Sequence, residues 1–387
     1  MTITKRTLPK SWHWAKLEDV CALVGNSINP QSNKEEIFAH YSIPSFDDGR
    51  KPVIENGNNI LSNKVVFDNG VVLFSKLNPR ISRVWYVNDE QAYKRICSTE
   101  FLPLAPNLDQ LDPMFLTWIL QEANLITALR AKTAAATKSR ERLKPNIVLS
   151  TQIPLPPLDE QKRIAARLNE QMSIITLARQ AIDDQFSLLT SLVNSYFRES
   201  LQRITTKMHL SDCMVEVKKG VGETWAQYPV LGATRAGVAP AKEKVGKQPQ
   251  RYKLVEPGTI FYNPMRIMIG SIAMLDDGDE SGITSPDYVV LKGKEGILHA
   301  RWFYYWFRSP YGENFIKSLA RGAVRERMLF NRLDKGEIEL PDWDTQVKIA
   351  EKLKEIKTFK QALESQLAEI NELPSALLRQ AFAGELS

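Results

Sequence analysis

Hydrophobic positions along this chain follow two rhythms. Leu168, Met172, Ile175, Ile182, Phe186, Leu189, Val193 and Tyr196 recur at alternating three- and four-residue steps, with Arg179 at the one polar position. Such spacing keeps apolar groups on one face of a helix and predicts a heptad seam. Near the C-terminus Leu353, Ile356, Leu363, Leu367, Ile370 and Leu377 keep a similar beat, and Pro374 predicts a kink. Each segment opens after a proline-containing turn, PLPPLDEQ or LPDWDTQ, with Asp159 or Asp344 placed as an N-cap or first-turn acid. At 1.5 Å per residue, about 40 residues make a rod of roughly 60 Å.

The rest of the chain patterns as mixed globular domains. Strand-like runs at 71–75, 83–87, 259–262 and 286–291 alternate with turn clusters such as Asp47-Asp48-Gly49 and Asn56-Gly57. Helical stretches are predicted near 113–130 and 299–319.

Sliding the chain by 185 residues aligns its halves. Arg140-Glu141-Arg142 falls on Arg325-Glu326-Arg327, Asn146 on Asn331, Gln161 on Gln346, Leu168 on Leu353 and Phe197 on Phe382. Between 140 and 201 there are 17 identities in 62 positions without a gap, which establishes a duplication. The globular parts agree only weakly, at 71–87 against 259–275 and at Ser98-Thr99 against Ser285-Pro286. The fold expected is therefore an α/β (α+β) two-repeat protein: mixed domains at 1–155 and 205–340, and long helices within 156–204 and 341–387. Pairing of the two hydrophobic stripes predicts antiparallel coiled-coil helices related by a pseudo-two-fold axis.

Charge sharpens this picture. Residues 1–155 carry 19 Lys+Arg against 15 Asp+Glu, and residues 205–335 carry 20 against 14. The helical remainder holds 12 against 16, so positive charge concentrates on the two globular domains, as two phosphate-facing surfaces require. The three cysteines and four histidines are scattered without disulfide or metal-ligand spacing. No apolar run reaches membrane-spanning length, and the N-terminus lacks a signal-peptide core, so a reduced, cytoplasmic protein without a metal is expected.

Three stretches then become recognisable: VVLFSKLNPRISRVWYV (71–87), CSTEF (97–101) and IPLPPLDEQKRIAARL (153–168). They resemble the target-recognition domain and following region of type I restriction-modification specificity subunits. GTIFYNPMRIMIGSIAML (258–275), ARGAVRERMLFNRL (320–333) and IELPDWDTQVKIAEKL (338–353) are similar to a second copy, so the resemblance covers essentially the whole chain. The second copy departs from the signature at Asp342, Trp343 and Thr345. The resemblance implies a non-catalytic DNA-binding subunit in which each domain reads half of a split, asymmetric target and the helices fix the gap. It further implies two methyltransferase subunits and motor-nuclease subunits as partners. S-adenosylmethionine, ATP and magnesium would then reside on those partners, with no cofactor on this chain.

Other chemistries fit the same residues less well. Asn78-Pro79 and Asn263-Pro264 resemble the start of an adenine-methyltransferase motif, but Arg80 and Met265 stand where proline is needed, and no Gly-rich loop suits S-adenosylmethionine. No phosphate-binding loop suits a motor. The acids Asp276, Asp277, Asp279 and Glu280 read as a solvated turn rather than a nuclease centre. A coiled-coil interaction scaffold without DNA affinity explains the helices but not the basic domains, and a fused restriction-methylation enzyme is an alternative partner.

Cations beside turns are the candidate DNA-binding residues. In the first domain they are Lys76, Arg80 and Arg83, then Lys132, Lys138, Arg140 and Arg142. In the second they are Arg266, Arg321, Arg325 and Arg327, with Lys242, Lys244, Lys247 and Arg251 in a Gly/Pro-punctuated loop. Arg140, Arg142, Arg325 and Arg327 stand out because the repeat preserves them, with an intramolecular role for the Arg-Glu-Arg triplet as the rival reading.

Overall fold

The computed structural model describes residues 8–132, 141–202, 205–242, 245–320 and 327–385. The chain forms two compact units, Met1–Gln180 with Leu367–Ser387, and Ala181–Gln366.

At the centre of the first unit lies an antiparallel four-stranded sheet, in the order Cys21–Leu23, Phe101–Pro106, Val71–Ser75, Val84–Val87. All five residues of Val71–Ser75 are buried, because the strand is covered on both faces. On one face Val72, Phe74 and Leu104 pack against Phe115, Leu116 and Leu129 from helices Pro113–Ile119 and Ala123–Ala131. On the other, Leu73 and Trp85 pack against Ala39, Tyr41 and Cys97. Those three belong to a five-stranded sheet in the order Asn26–Ile28, Lys64–Val66, Lys94–Ser98, Ile37–Tyr41, Val53–Asn56.

The second unit repeats the frame. Its four-stranded antiparallel sheet runs Met214–Glu216, Val289–Gly293, Thr259–Tyr262, Ile272–Met274. Helices Ala300–Phe307 and Pro310–Leu319 cover one face, with Trp302, Phe303 and Phe307 on Ile260, Tyr262 and Leu291. The other face differs, carrying two two-stranded sheets, Leu231–Thr234 with Gly237–Pro240 and Lys253–Val255 with Gly282–Thr284. In each unit a short ribbon ties the start of the globular part to its end, pairing His13 with Leu155 and Thr205 with Pro341.

The long helices are Leu158–Leu201 and Trp343–Ala383, of 44 and 41 residues. The second continues through Pro374. Every predicted seam position is buried or half-buried. Within the first unit, the start of the first helix meets the end of the second: Ile164 and Leu168 share a core with Leu378, Ala381 and Phe382. Within the second unit, the end of the first meets the start of the second, Phe197 joining Ile349 and Leu353. Phe197 lies edge-on to Trp302 at 5.8 Å, and Phe382 edge-on to Phe115 at 5.3 Å. These two phenylalanines are repeat counterparts, so each anchors the globular domain of the other repeat.

Gln161 and Gln346, also repeat counterparts, are buried. The Gln161 side chain donates to the carbonyls of Gln110 and Pro156 at 2.8 and 2.9 Å and accepts from the Asp112 amide at 2.9 Å. Gln346 does the same with Ile297, Pro341 and His299. One amide side chain thus joins the turn before the long helix to the turn before the covering helix, satisfying backbone groups that burial would otherwise strand. At the second helix, Asp342 accepts from the Thr345 amide at 2.8 Å, a side-chain cap that Pro157 cannot supply in the first.

Candidate DNA interface

The candidate surface grows out of the hairpin on each four-stranded sheet. In the first unit, Val71–Ser75 leads through Lys76 to a turn at Asn78-Pro79 and back into Val84–Val87. Asn78 takes a positive φ of 50°, a conformation that asparagine tolerates better than most residues. The segment after the undescribed residues 133–140 pairs with this turn. The Asn78 amide donates to the Glu141 carbonyl at 2.8 Å, the Leu143 amide donates to the Lys76 carbonyl at 2.9 Å, and Leu77 bridges Arg142. Lys76, Arg80 and Arg142 are thereby brought to one place.

The second unit repeats the arrangement. Asn263 accepts a hydrogen bond from the Met265 amide at 3.0 Å, and the Met328 amide donates to the Pro264 carbonyl at 3.0 Å. Arg266 and Arg327 are the cations gathered there. In both units the Asn-Pro pair serves as turn and docking edge.

The last arginine of each triplet takes part in a matching ion pair. Arg142 reaches Glu100 at 2.8 Å and Arg327 reaches Asp287 at 3.2 Å. Both guanidiniums are exposed, and the two acids come directly after the weakly matching stretches at Ser98 and Ser285. Glu141 is buried and accepts from Arg130 at 3.0 Å, an internal role.

The remaining candidates divide. Arg80 is exposed, with Nε donating to Asn78 at 3.2 Å. Arg83 has a side chain only 12% exposed and forks onto Asp47 at 2.7 and 2.8 Å, which raises its pKa further. Its guanidinium is committed within the unit. Lys132, Lys242, Lys247 and Arg251 are exposed, Arg251 donating to Gln248 at 3.0 Å. Lys138, Arg140, Lys244, Arg321 and Arg325 lie outside the described residues.

The acid cluster reads differently from expectation. Asp276 is buried rather than solvated, forking with Arg301 and reaching Lys357 at 3.0 Å, while Asp277 is exposed. Arg301 from helix Ala300–Phe307 and Lys357 from helix Trp343–Ala383 close over Asp276, and neither is near it in the sequence. Among the described residues no three His, Cys, Asp or Glu side chains converge as metal ligands, and no helix is long and apolar enough to cross a membrane. Burial pushes the thiols of Cys21 and Cys97 up to about 12 and that of Cys213 to about 11.

The family description "Type I restriction modification DNA specificity domain" matches residues 9–184 and 228–373. The chain belongs to that family. A Methanocaldococcus jannaschii chain named as the MjaX specificity subunit of a type I restriction enzyme is 22% identical, over 90% of this chain and 87% of that one. The EcoKI specificity subunit of Escherichia coli is 20% identical over 67% of this chain and 62% of its own. Among solved structures, a chain from work on complex assembly and conformational transition of the type I R-M system superposes with a TM-score of 0.72 at 21% identity. That likeness covers 98% of this chain and 99% of the other. The HsdS subunit of Thermoanaerobacter tengcongensis gives a TM-score of 0.53 at 21% identity over the full length of both chains. This specificity chain therefore has the fold of its family, with two sheet-rich domains and long helices.

Proposed function

We infer that this chain selects the DNA at which a type I complex acts, each unit reading one half of a split, asymmetric target, without catalysis of its own. One observation carries the reading: both units build the same cationic edge, Arg142 or Arg327 beside an Asn-Pro turn, on the same four-stranded frame. The sheets behind that frame differ between the units, which suits two readers with different targets. The Arg327–Asp287 pair is exposed on both sides and of the kind worth little in water, so a DNA phosphate can replace that carboxylate at low cost. Arg142 stays beside the half-buried Glu100 and offers a phosphate its remaining donors.

The partners in this reading are two methyltransferase subunits and motor-nuclease subunits, which carry S-adenosylmethionine, ATP and magnesium in the cytoplasm. Exposed apolar side chains on the long helices support two equivalent docking places. Ile174 and Phe359 are repeat counterparts, as are Leu188 and Leu373, and all four are exposed. The first unit holds Ile174 and Leu373, and the second holds Phe359 and Leu188.

The test is exchange of residues 1–150 for the corresponding domain of another family member, followed by sequencing of methylated host DNA. One half of the methylated motif should change and the other persist. A change in both halves, or in neither, refutes the reading.

A further inference from the structure

The hairpin tip of the second unit, 263–271, carries an apolar surface that phosphate binding does not explain. Met265, Met268 and Ile269 are 56%, 46% and 66% exposed, while Ile267 between them is buried in the core and anchors the turn. The tip is held in shape by its own backbone. The Arg266 amide donates to the Asn263 carbonyl at 3.0 Å, and the amides of Ile269 and Ser271 donate to the Arg266 carbonyl at 3.2 and 3.1 Å. Gly270 closes it at φ +80°, where a side chain would be strained. Three large apolar groups are thus kept in water by a built turn, whose sequence NPMRIMIGS contains no acid.

Its surroundings are cationic. Arg266 is exposed within the tip, and Arg235, from the turn between Leu231–Thr234 and Gly237–Pro240, is also exposed. A Cβ placed on Gly270 would lie 3.6 Å from Arg235 Cγ. The Met328 amide, next to Arg327, donates to Pro264 at 3.0 Å. An apolar face ringed by arginines suits a polyanion whose interior edges are partly apolar, which describes a DNA groove. Thymine presents its 5-methyl in the major groove, where apolar side chains distinguish it from the other bases. The apolar groups flank Arg266 instead of forming one protruding wedge, so they fit a row of base edges better than an unstacked step. In the first unit the matching tip exposes one large apolar side chain, Ile81, beside Arg80.

We propose that Met265, Met268 and Ile269 are specificity-determining residues that contact thymine methyls in the half-site read by the second unit, with Arg235 and Arg266 holding the flanking phosphates. This rests on the functional reading above and adds apolar residues to its cations.

The experiment uses the whole complex with its partner subunits. Methylated host DNA is sequenced for wild type, for Met265→Ser/Met268→Ser/Ile269→Ser, and for the same three residues changed to Leu as an apolar control. Duplexes carrying the wild-type motif are then tested with uracil in place of thymine. The second unit is identified as the reader of one half-site by exchange of residues 205–340. The serine variant should accept other bases at thymine positions of that half and leave the other half unchanged. Uracil should weaken wild-type binding about fourfold per lost methyl contact and leave the serine variant indifferent. Apolar contacts release no counterions, so its salt slope should match wild type, whereas Arg235→Ala should flatten the slope. An unchanged motif in a folded serine variant overturns the proposal, as does a half-site without thymine. Failure of the folded serine variant to co-elute with its partner subunits overturns it by placing a protein on the tip. A wild-type complex that leaves no motif dependent on this chain overturns the functional reading itself.

Discussion

Asp276 is the residue whose charge most clearly matters to the second unit. Burial alone would raise its pKa, but hydrogen bonds from Arg301 and Lys357 outweigh that and hold it below the ordinary 3.8. A carboxyl depressed in the folded state adds stability above its unfolded pKa and loses it as pH falls through the folded value. Asp276→Asn should therefore cost about 2 kcal/mol at neutral pH, because it removes the charge-assisted hydrogen bonds of buried Arg301 and leaves it only the exposed Asp277 as an anion. In urea unfolding followed by tryptophan fluorescence, the gap between wild type and variant should be constant above about pH 4 and close below it. A gap that persists at low pH would assign the cost to packing. The acid run itself was visible in the sequence, but its partners were not: Arg301 and Lys357 lie 25 and 81 residues away. Gln161 and Gln346 illustrate the same limit. Their identity in the repeat was plain, while the three backbone groups each one satisfies became visible only once the turns were packed together.

At the scale of elements, the long helices were the most legible part, since a heptad seam is a local pattern and a 3.6-residue period needs no tertiary knowledge. What the seam leaves over is equally informative. Leu188 and Leu373 lie off it and stay exposed, whereas Ile182 lies on it and is buried. Replacing Leu188 and Leu373 with Asp should change stability by no more than about 0.5 kcal/mol, as at other surface sites. It should also abolish co-elution with the methyltransferase subunit in size-exclusion chromatography, while Ile182→Ala should instead cost about 3 kcal/mol in stability. Normal assembly of the double Asp variant would remove these leucines from the docking surface. The sheets were harder to read. Strands at 71–75 and 259–262 were found where apolar runs predicted them, but the five-stranded sheet behind the first was not, because short strands such as Asn26–Ile28 and Lys64–Val66 carry little pattern of their own.

At the scale of the whole molecule, each long helix serves both units, dividing at 180/181 in the first and 366/367 in the second. In the proposed function this length determines the unread gap of the target. Four residues inserted near 180 add about 6 Å of helix and rotate the downstream part by roughly 40°. Methylated sites of the insertion mutant should show a longer gap between two unchanged half-sites. An unchanged gap in an active mutant would show that the helices are not the ruler.

The sequence by itself determined the duplication, the two helices and their seams, and the family, because identity at a fixed offset and apolar periodicity are properties of the chain. It also placed the cations that the hairpin turns gather, Lys76, Arg80 and Arg142 in one unit and Arg266 and Arg327 in the other. Tertiary structure alone decided that Arg83 is committed to Asp47, since that pair spans 36 residues and two elements. It alone decided that Phe197 and Phe382 each anchor the other repeat's domain, and that Met265, Met268 and Ile269 face water. A methionine reads as core in any one-dimensional pattern; whether a turn points it inward or outward depends on the backbone around it, here fixed by the buried Ile267 and the left-handed Gly270.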